Sequence, residues 1–310
     1  MRRVGWVRQH LAALRALLVL TVITGIAYPL AVWAVASLPW LRERADGATV
    51  TVDGHTVGSS RIGQAFTAAD GAPLLRYFQS RPSAAGAGYD ALASGASNLG
   101  PENIRDIPAD PALLARGAAP AEAGFVPSLL TTVCGRSREI GIREGVDGGR
   151  PFCTAGGVGA VLSVIGPRAA DGDIPRPVRV ISVNEPCSPI PAQPVTPFLD
   201  TYEGVPVECA RFGETYDSGQ IVPIRGDAPD PPAVPADAVT ASGSGLDPDI
   251  SREYADLQAP RVATVRGVPV DQVRAVIADH TRGRALGFLG QPTVNVLELN
   301  IDVDHRFPVR

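Results

Sequence analysis

The first apolar run is also the longest. From Ala16 to Ala36 the chain reads ALLVLTVITGIAYPLAVWAVA with no charged residue. As a helix this run covers ~31 Å, about the hydrocarbon thickness of a bilayer. A spanning segment must satisfy its own backbone, so a helix is predicted, with a kink at Pro29. Further on, the pattern shortens. Ala48 to Val57 alternates around Asp53-Gly54, a hairpin signal. Pro73 to Gln79 predicts a short helix or strand, and Gly86 to Pro101 an ordered loop. Phe125–Val133, Val158–Ile165 and Val178–Val183 are β-rich runs between glycines and prolines. Pro229, Pro231, Pro232 and Pro235 close that stretch as a stiff linker.

After residue 236 the period becomes helical. Ser251 is a predicted N-cap for a short helix through Gln258, and Pro260 is expected to open the next helix. Pro269 to Thr281 carries a stripe of Val270, Val273, Val276 and Ile277, with Gly283 as its stop. A last strand is predicted from Thr293 to Val303. Its apolar parity slips at Val296 and Leu297, which implies a bulge there. Helices and strands mixed without βαβ regularity predict an α+β fold with one N-terminal transmembrane helix. The expected divisions are a cytoplasmic N-terminus (1–15), the transmembrane helix (16–36), a mixed extracytoplasmic domain (37–109 and 236–310) and an inserted, largely β subdomain (110–235).

Charge orients the helix. Arg2, Arg3, Arg8 and Arg15 precede it with no acid among them, whereas Arg42 and Arg44 beyond it are offset by Glu43 and Asp46. The positive flank predicts a cytoplasmic N-terminus, with the main part of the chain outside. Ala34-Val35-Ala36 also has the small-x-small form of a cleavage site, so a removed signal peptide is the rival reading. The chain has 310 residues and a net charge of −4, and its basic residues outside the histidines are all arginine. All the acidic residues follow the apolar run, which argues against a nucleic-acid partner.

The cysteines are Cys134, Cys153, Cys187 and Cys209. They form no C-x-x-C pair, and no histidine lies among them, which disfavours zinc. In an oxidising compartment they predict two disulfides. Of the three possible pairings, Cys134–Cys153 with Cys187–Cys209 closes two short loops and is the expected one. No phosphate loop, zinc-protease or nucleophile-elbow motif is present. Ser242-Gly243-Ser244-Gly245 reads as a turn, and Asp247 to Gln258 lacks the glycine and glutamate of a calcium loop. No catalytic residue, metal or tightly bound cofactor is expected.

Several blocks carry a family likeness in one consistent order. They are Gly25-Ile26-Ala27-Tyr28-Pro29, Gly58 to Phe66, Tyr77-Phe78, Arg81 to Ala84 and Ser94 to Pro101, followed by Val239 to Ser251, Gln258 to Ala263 and Leu286 to Asn300. In this order the chain resembles the KdpC subunit of the bacterial potassium-transporting Kdp ATPase, with the cysteine-bearing stretch as an insertion. The resemblance implies a non-catalytic subunit of a high-affinity potassium pump. Its implied partners are a channel-like potassium-translocating subunit, a P-type ATPase subunit and membrane lipid. Partner-helix packing would fall to Thr21, Thr24, Gly25, Tyr28 and Pro29. The family is also described as raising the ATPase subunit's affinity for ATP, a role linked to the glutamine matched by Gln258. ATP would then be met only through the complex. That role conflicts with the topology, since ATP is cytoplasmic and Gln258 is expected outside. A membrane-anchored or secreted binding module and an anchored hydrolase are the alternative readings.

Overall fold

The computed structural model describes residues 2–184, 197–211 and 214–309. The chain divides into two compact units, Met1–Ile62 and Gly63–Arg310.

The first unit begins with the apolar helix. Helix α1 (Arg2–Val22) passes into a π turn at Ile23–Ala27 and continues as α2 (Tyr28–Ala36). Proline explains the turn. Pro29 has no N–H to offer, and its ring crowds the carbonyl one turn earlier, so the ladder widens just before it. The Tyr28 N–H reaches back to the Ile23 carbonyl, and the Thr24 hydroxyl donates to the Leu20 carbonyl at 2.7 Å. Within the helix from Gly5 to Ala36 the most apolar 18-residue window has a mean hydropathy of 2.1, and none of that window is buried. Its core coincides with the expected span, and the helix extends back through the basic flank. Pro39 opens a short amphipathic helix, α3 (Pro39–Ala45). Strands β1 (Thr49–Val52) and β2 (His55–Ser59) then form the expected hairpin. Asp53 and Gly54 both take positive φ, 50° and 80°, as a two-residue hairpin turn requires.

The second unit is mixed α and β. A 3₁₀ turn at Ala91–Ala93 and α4 (Pro111–Leu114) punctuate a long ordered loop. Helix α5 (Leu129–Glu144) follows where the β-rich residues of Phe125–Val133 predict a strand. Ser128 decides this: its hydroxyl accepts the Thr131 N–H and caps the helix, and Cys134, Ser137, Ile140, Gly141 and Glu144 are buried at helical spacing. Gly145 ends the helix with φ 71°. A Cβ on Gly141 would collide with the backbone of Gly148, so the chain leaving the helix packs directly on it.

The next strands build one five-stranded sheet. They are β3 (Val161–Ile165), β4 (Arg179–Ser182), β5 (Thr201–Tyr202), β6 (Val205–Cys209) and β7 (Gln220–Pro223), in the order β5-β6-β4-β3-β7. The β4–β6 pair is parallel and the others are antiparallel. β3 is apolar without alternation because both of its faces are covered. Val161 packs with Ile181 and Tyr216, while Leu162 and Val164 pack with Val180 and Val207.

The C-terminal part holds the largest core. Its elements are α6 (Ala236–Val239), β8 (Asp249–Ser251), α7 (Arg252–Arg266), α8 (Val270–His280), β9 (Thr281–Arg282), β10 (Thr293–Asn295) and α9 (Val296–Arg306). The strands pair in the order β8-β10-β9. Ser251 caps α7 as expected, but α7 runs straight through Pro260 and does not break there. Pro260 is on the exposed face, where water can serve the carbonyl it leaves without a donor. α8 matches the predicted stripe, although it ends at His280, before Gly283.

The predicted strand to Val303 is mostly helix. Only Thr293–Asn295 is extended, and the Asn295 side chain accepts the Glu298 N–H to start α9. The parity slip at Val296 is therefore a change of secondary structure and not a bulge. Val296, Leu299, Asn300 and Val303 then face the core at helical spacing.

One link closes a loop within the cysteine-bearing stretch, and a second ties the stretch to this core. Cys134 on α5 is bonded to Cys153 with 5.5 Å between their Cα atoms. The Glu144 carboxylate, with no exposed side-chain surface, accepts from Arg143 and Arg261 at 2.8–3.1 Å. Burial pulls the Arg261 guanidinium below its usual range, and Glu144 opposes that shift. Replacing Glu144 with Gln is expected to destabilise the protein by about 3 kcal/mol, because Arg261 would stay buried without a counter-charge. Cys153→Ser is expected to cost roughly 3 kcal/mol by releasing the closed loop. Denaturant unfolding of each variant checks both values, and a loss below ~0.5 kcal/mol in either would contradict the role given to that link.

Candidate functional site

Gln258 is the residue the sequence singles out, and it is completely buried on α7. Its Oε1 accepts the Gln79 N–H at 2.7 Å, and its Nε2 donates to the Gln79 carbonyl at 3.2 Å. The amide thus reads the backbone of Gln79 as a neighbouring strand would. Arg261 donates to the same Oε1 at 2.9 Å, so both lone pairs of that oxygen are in use. Asn300 on α9 repeats the arrangement on the preceding residue, accepting from the Phe78 N–H at 2.8 Å and donating to its carbonyl at 3.0 Å.

The clamped segment has neither of the two structures predicted for Pro73–Gln79. It is an irregular stretch whose backbone is served by side chains. Arg261 donates to the carbonyls of Leu75 and Tyr77, and Arg266 to that of Arg76 at 3.0 Å. Arg266 also reaches Asp304, whose other oxygen accepts from the Tyr77 hydroxyl at 3.0 Å. Gln79 turns its own Nε2 onto the carbonyls of Phe66, Leu74 and Tyr77. The Phe78 ring, fully buried, enters the core beside α7 and α9. These groups fasten the chain to itself and leave no polar atom aimed at a ligand.

The other candidates fall in separate places. Thr21, Thr24, Gly25, Tyr28 and Pro29 line the exposed helix around the π turn. Gly25 has open space where a Cβ would be, with only the Thr21 methyl at 3.9 Å. Cys209, at the end of β6, is also disulfide-bonded, and Cys187 lies outside the described residues. Ser242 to Gly245 form a turn whose Gly245 and Asp247 N–H groups are taken by the Ser242 hydroxyl, so the turn offers no phosphate cradle. Among the described residues, no group of three or more His, Cys, Asp or Glu is placed to hold a metal.

The family-like block from Leu286 begins in an exposed loop. The loop from Arg284 to Gly290 folds on itself through paired backbone bonds between Ala285 and Leu289, both 2.9 Å. Leu286 and Phe288 stand at its tip, 82% and 68% exposed. Leu286 takes φ 54° and Gly287 φ 82° to make the turn. An ordered turn thus presents large apolar side chains to solvent. The signal was visible as LGFLG, since the glycines show a turn and a turn normally carries polar residues.

Comparison with known proteins gives the family. The family model KdpC, "K+-transporting ATPase, c chain", matches residues 10–113 and 219–305, more than half of the chain. Relatives named "Potassium-transporting ATPase KdpC subunit" include one from Kineococcus radiotolerans, 37% identical over 95% of this chain and 92% of the relative. Those from Mycobacterium tuberculosis (35%; 96% and 98%) and Streptomyces coelicolor (34%; 95% and 91%) align over similar extents. The stretch outside the family model is thus spanned in these relatives too, which a segment peculiar to this chain would not be. With matches along both flanks and near-complete relatives, the chain belongs to the KdpC family and is an accessory, non-catalytic subunit of the Kdp potassium pump.

Proposed function

We propose that this subunit works by contact alone, holding together an assembly of a channel-like potassium-translocating subunit and a P-type ATPase subunit. The carrying observation is the use of its polar groups. Gln258, Asn300, Arg261, Arg266 and Glu144 are all spent on the chain's own backbone and ion pairs. Large apolar side chains are exposed along the helix and at the Leu286–Phe288 tip, among other places. In this reading the helix is retained and packs on partner helices through Thr21 and Gly25. The tip meets the outer face of the channel-like subunit. The N-terminus is cytoplasmic and the larger unit extracytoplasmic. The basic flank supports that placement, and so does the Cys134–Cys153 disulfide, a bond favoured outside the cytosol.

Any influence on ATP is then indirect. A nucleotide could touch Gln258 only by displacing the backbone of Gln79 from a fully buried amide. Gln258 matters because it keeps the subunit in the shape its partners bind.

Three outcomes test this. A tagged chain purified gently from potassium-starved cells should bring a channel-like protein and a P-type ATPase with it, and its isolation alone would overturn the proposal. Leu286→Ser with Phe288→Ser should weaken that co-purification at least tenfold with thermal stability unchanged, since both side chains are in solvent. Gln258→Ala should destabilise the subunit by about 1–3 kcal/mol, the cost of leaving the Gln79 N–H and carbonyl unpaired. Its effect on the pump's ATP affinity should match that of Asn300→Ala. A change in ATP affinity with Gln258→Ala but not with Asn300→Ala, at equal stability, would contradict the indirect role.

A further inference from the structure

The first compact unit contains an open groove of about 480 Å³ between α2 and α3. Tyr28, Ala31, Val32 and Val35 line one side at three- and four-residue spacing, so they share a face of α2. Leu41 and Arg44 close the other side from α3, again three residues apart. The lining is almost wholly apolar apart from Arg44. The neighbouring Arg42 is engaged with Asp46 at 3.6 Å, while Arg44 has no ion-pair partner among the described residues. Trp33 and Trp40, 69% and 71% exposed, stand near the same end of the helix, as aromatic residues do at a membrane surface.

We propose that this groove binds one anionic phospholipid, with an acyl chain along Val32 and Val35 and the phosphate on Arg44. The order of chemistry matches the molecule. The apolar wall lies on the spanning helix, and the free guanidinium sits on the helix that follows it. A guanidinium binds phosphate by charge-assisted, often paired hydrogen bonds, and Arg44 makes no ion pair among the described residues. A packed partner helix would match the apolar wall but leave that charge without an acceptor. The inference rests on the reading of Gly5–Ala36 as a retained membrane helix and not on its orientation.

The test uses the full chain in detergent, with phosphatidylglycerol or phosphatidylcholine added and bound lipid counted by native mass spectrometry. Phosphatidylglycerol is expected to be retained in preference. Arg44→Gln should weaken its binding roughly tenfold, the equivalent of one lost charged hydrogen bond. Arg42→Gln should change nothing, and Ala31→Trp should exclude both lipids by filling the groove. Equal retention of the two lipids by the native chain, or undiminished phosphatidylglycerol binding in either Arg44→Gln or Ala31→Trp, would overturn the proposal. So would a photo-crosslinker at Val35 that labels a partner subunit and no lipid in the assembled pump. A chain released from membranes by alkaline extraction would overturn the anchor reading as well. A chain that stays in the membrane but shows no lipid preference would sink the lipid site alone.

Discussion

The second compact unit depends on one awkward requirement: an irregular backbone segment, Leu75 to Gln79, enters the core at Phe78 and Gln79 with no strand beside it. Buried N–H and C=O groups left unpaired would cost more than the segment's apolar contacts return. Here two side-chain amides act as strand substitutes, Asn300 for Phe78 and Gln258 for Gln79, and two arginines collect the carbonyls before them. The donors come from α7 and α9, so those helices cannot shift without unpairing buried groups. The placement of Phe78 in the core follows from this fastening.

The same arginines carry the constraint outward. Arg261 lies between the clamped segment and Glu144, which belongs to α5 in the cysteine-bearing stretch. A residue in that stretch therefore neutralises a charge that the core needs for its own backbone. This explains why α5 packs against the C-terminal helices even though the family model passes over it. The disulfide from Cys134 then holds the loop after α5 close to the helix.

Much of this fold was legible in the sequence where one rule acted alone. The apolar helix, the Asp53-Gly54 hairpin, the cap at Ser251 and the stripe of α8 follow from local pattern. The errors came where two rules competed. Ser128 outweighed the β-branched run after it, so α5 is a helix. Asn295 ended a strand that apolar residues seemed to extend. Pro260 sits in a helix because its exposed side tolerates a missing bond. The clamp was not legible at all. Nothing local shows that an amide on α7 will pair with a backbone 179 residues away. The family likeness marked Gln258, but only packing reveals what it touches.

The π turn changes how the anchor meets its surroundings. It sets one more residue into a turn than an α-helix holds, so everything after it is rotated by about 100° relative to a regular continuation. The side that Leu14 and Leu18 mark before the turn is therefore not continued by the residues an unbroken helix would place above it. A straight neighbouring rod cannot follow one ridge of this helix from end to end. The lengths before and after the turn therefore present different sides to whatever packs along the helix.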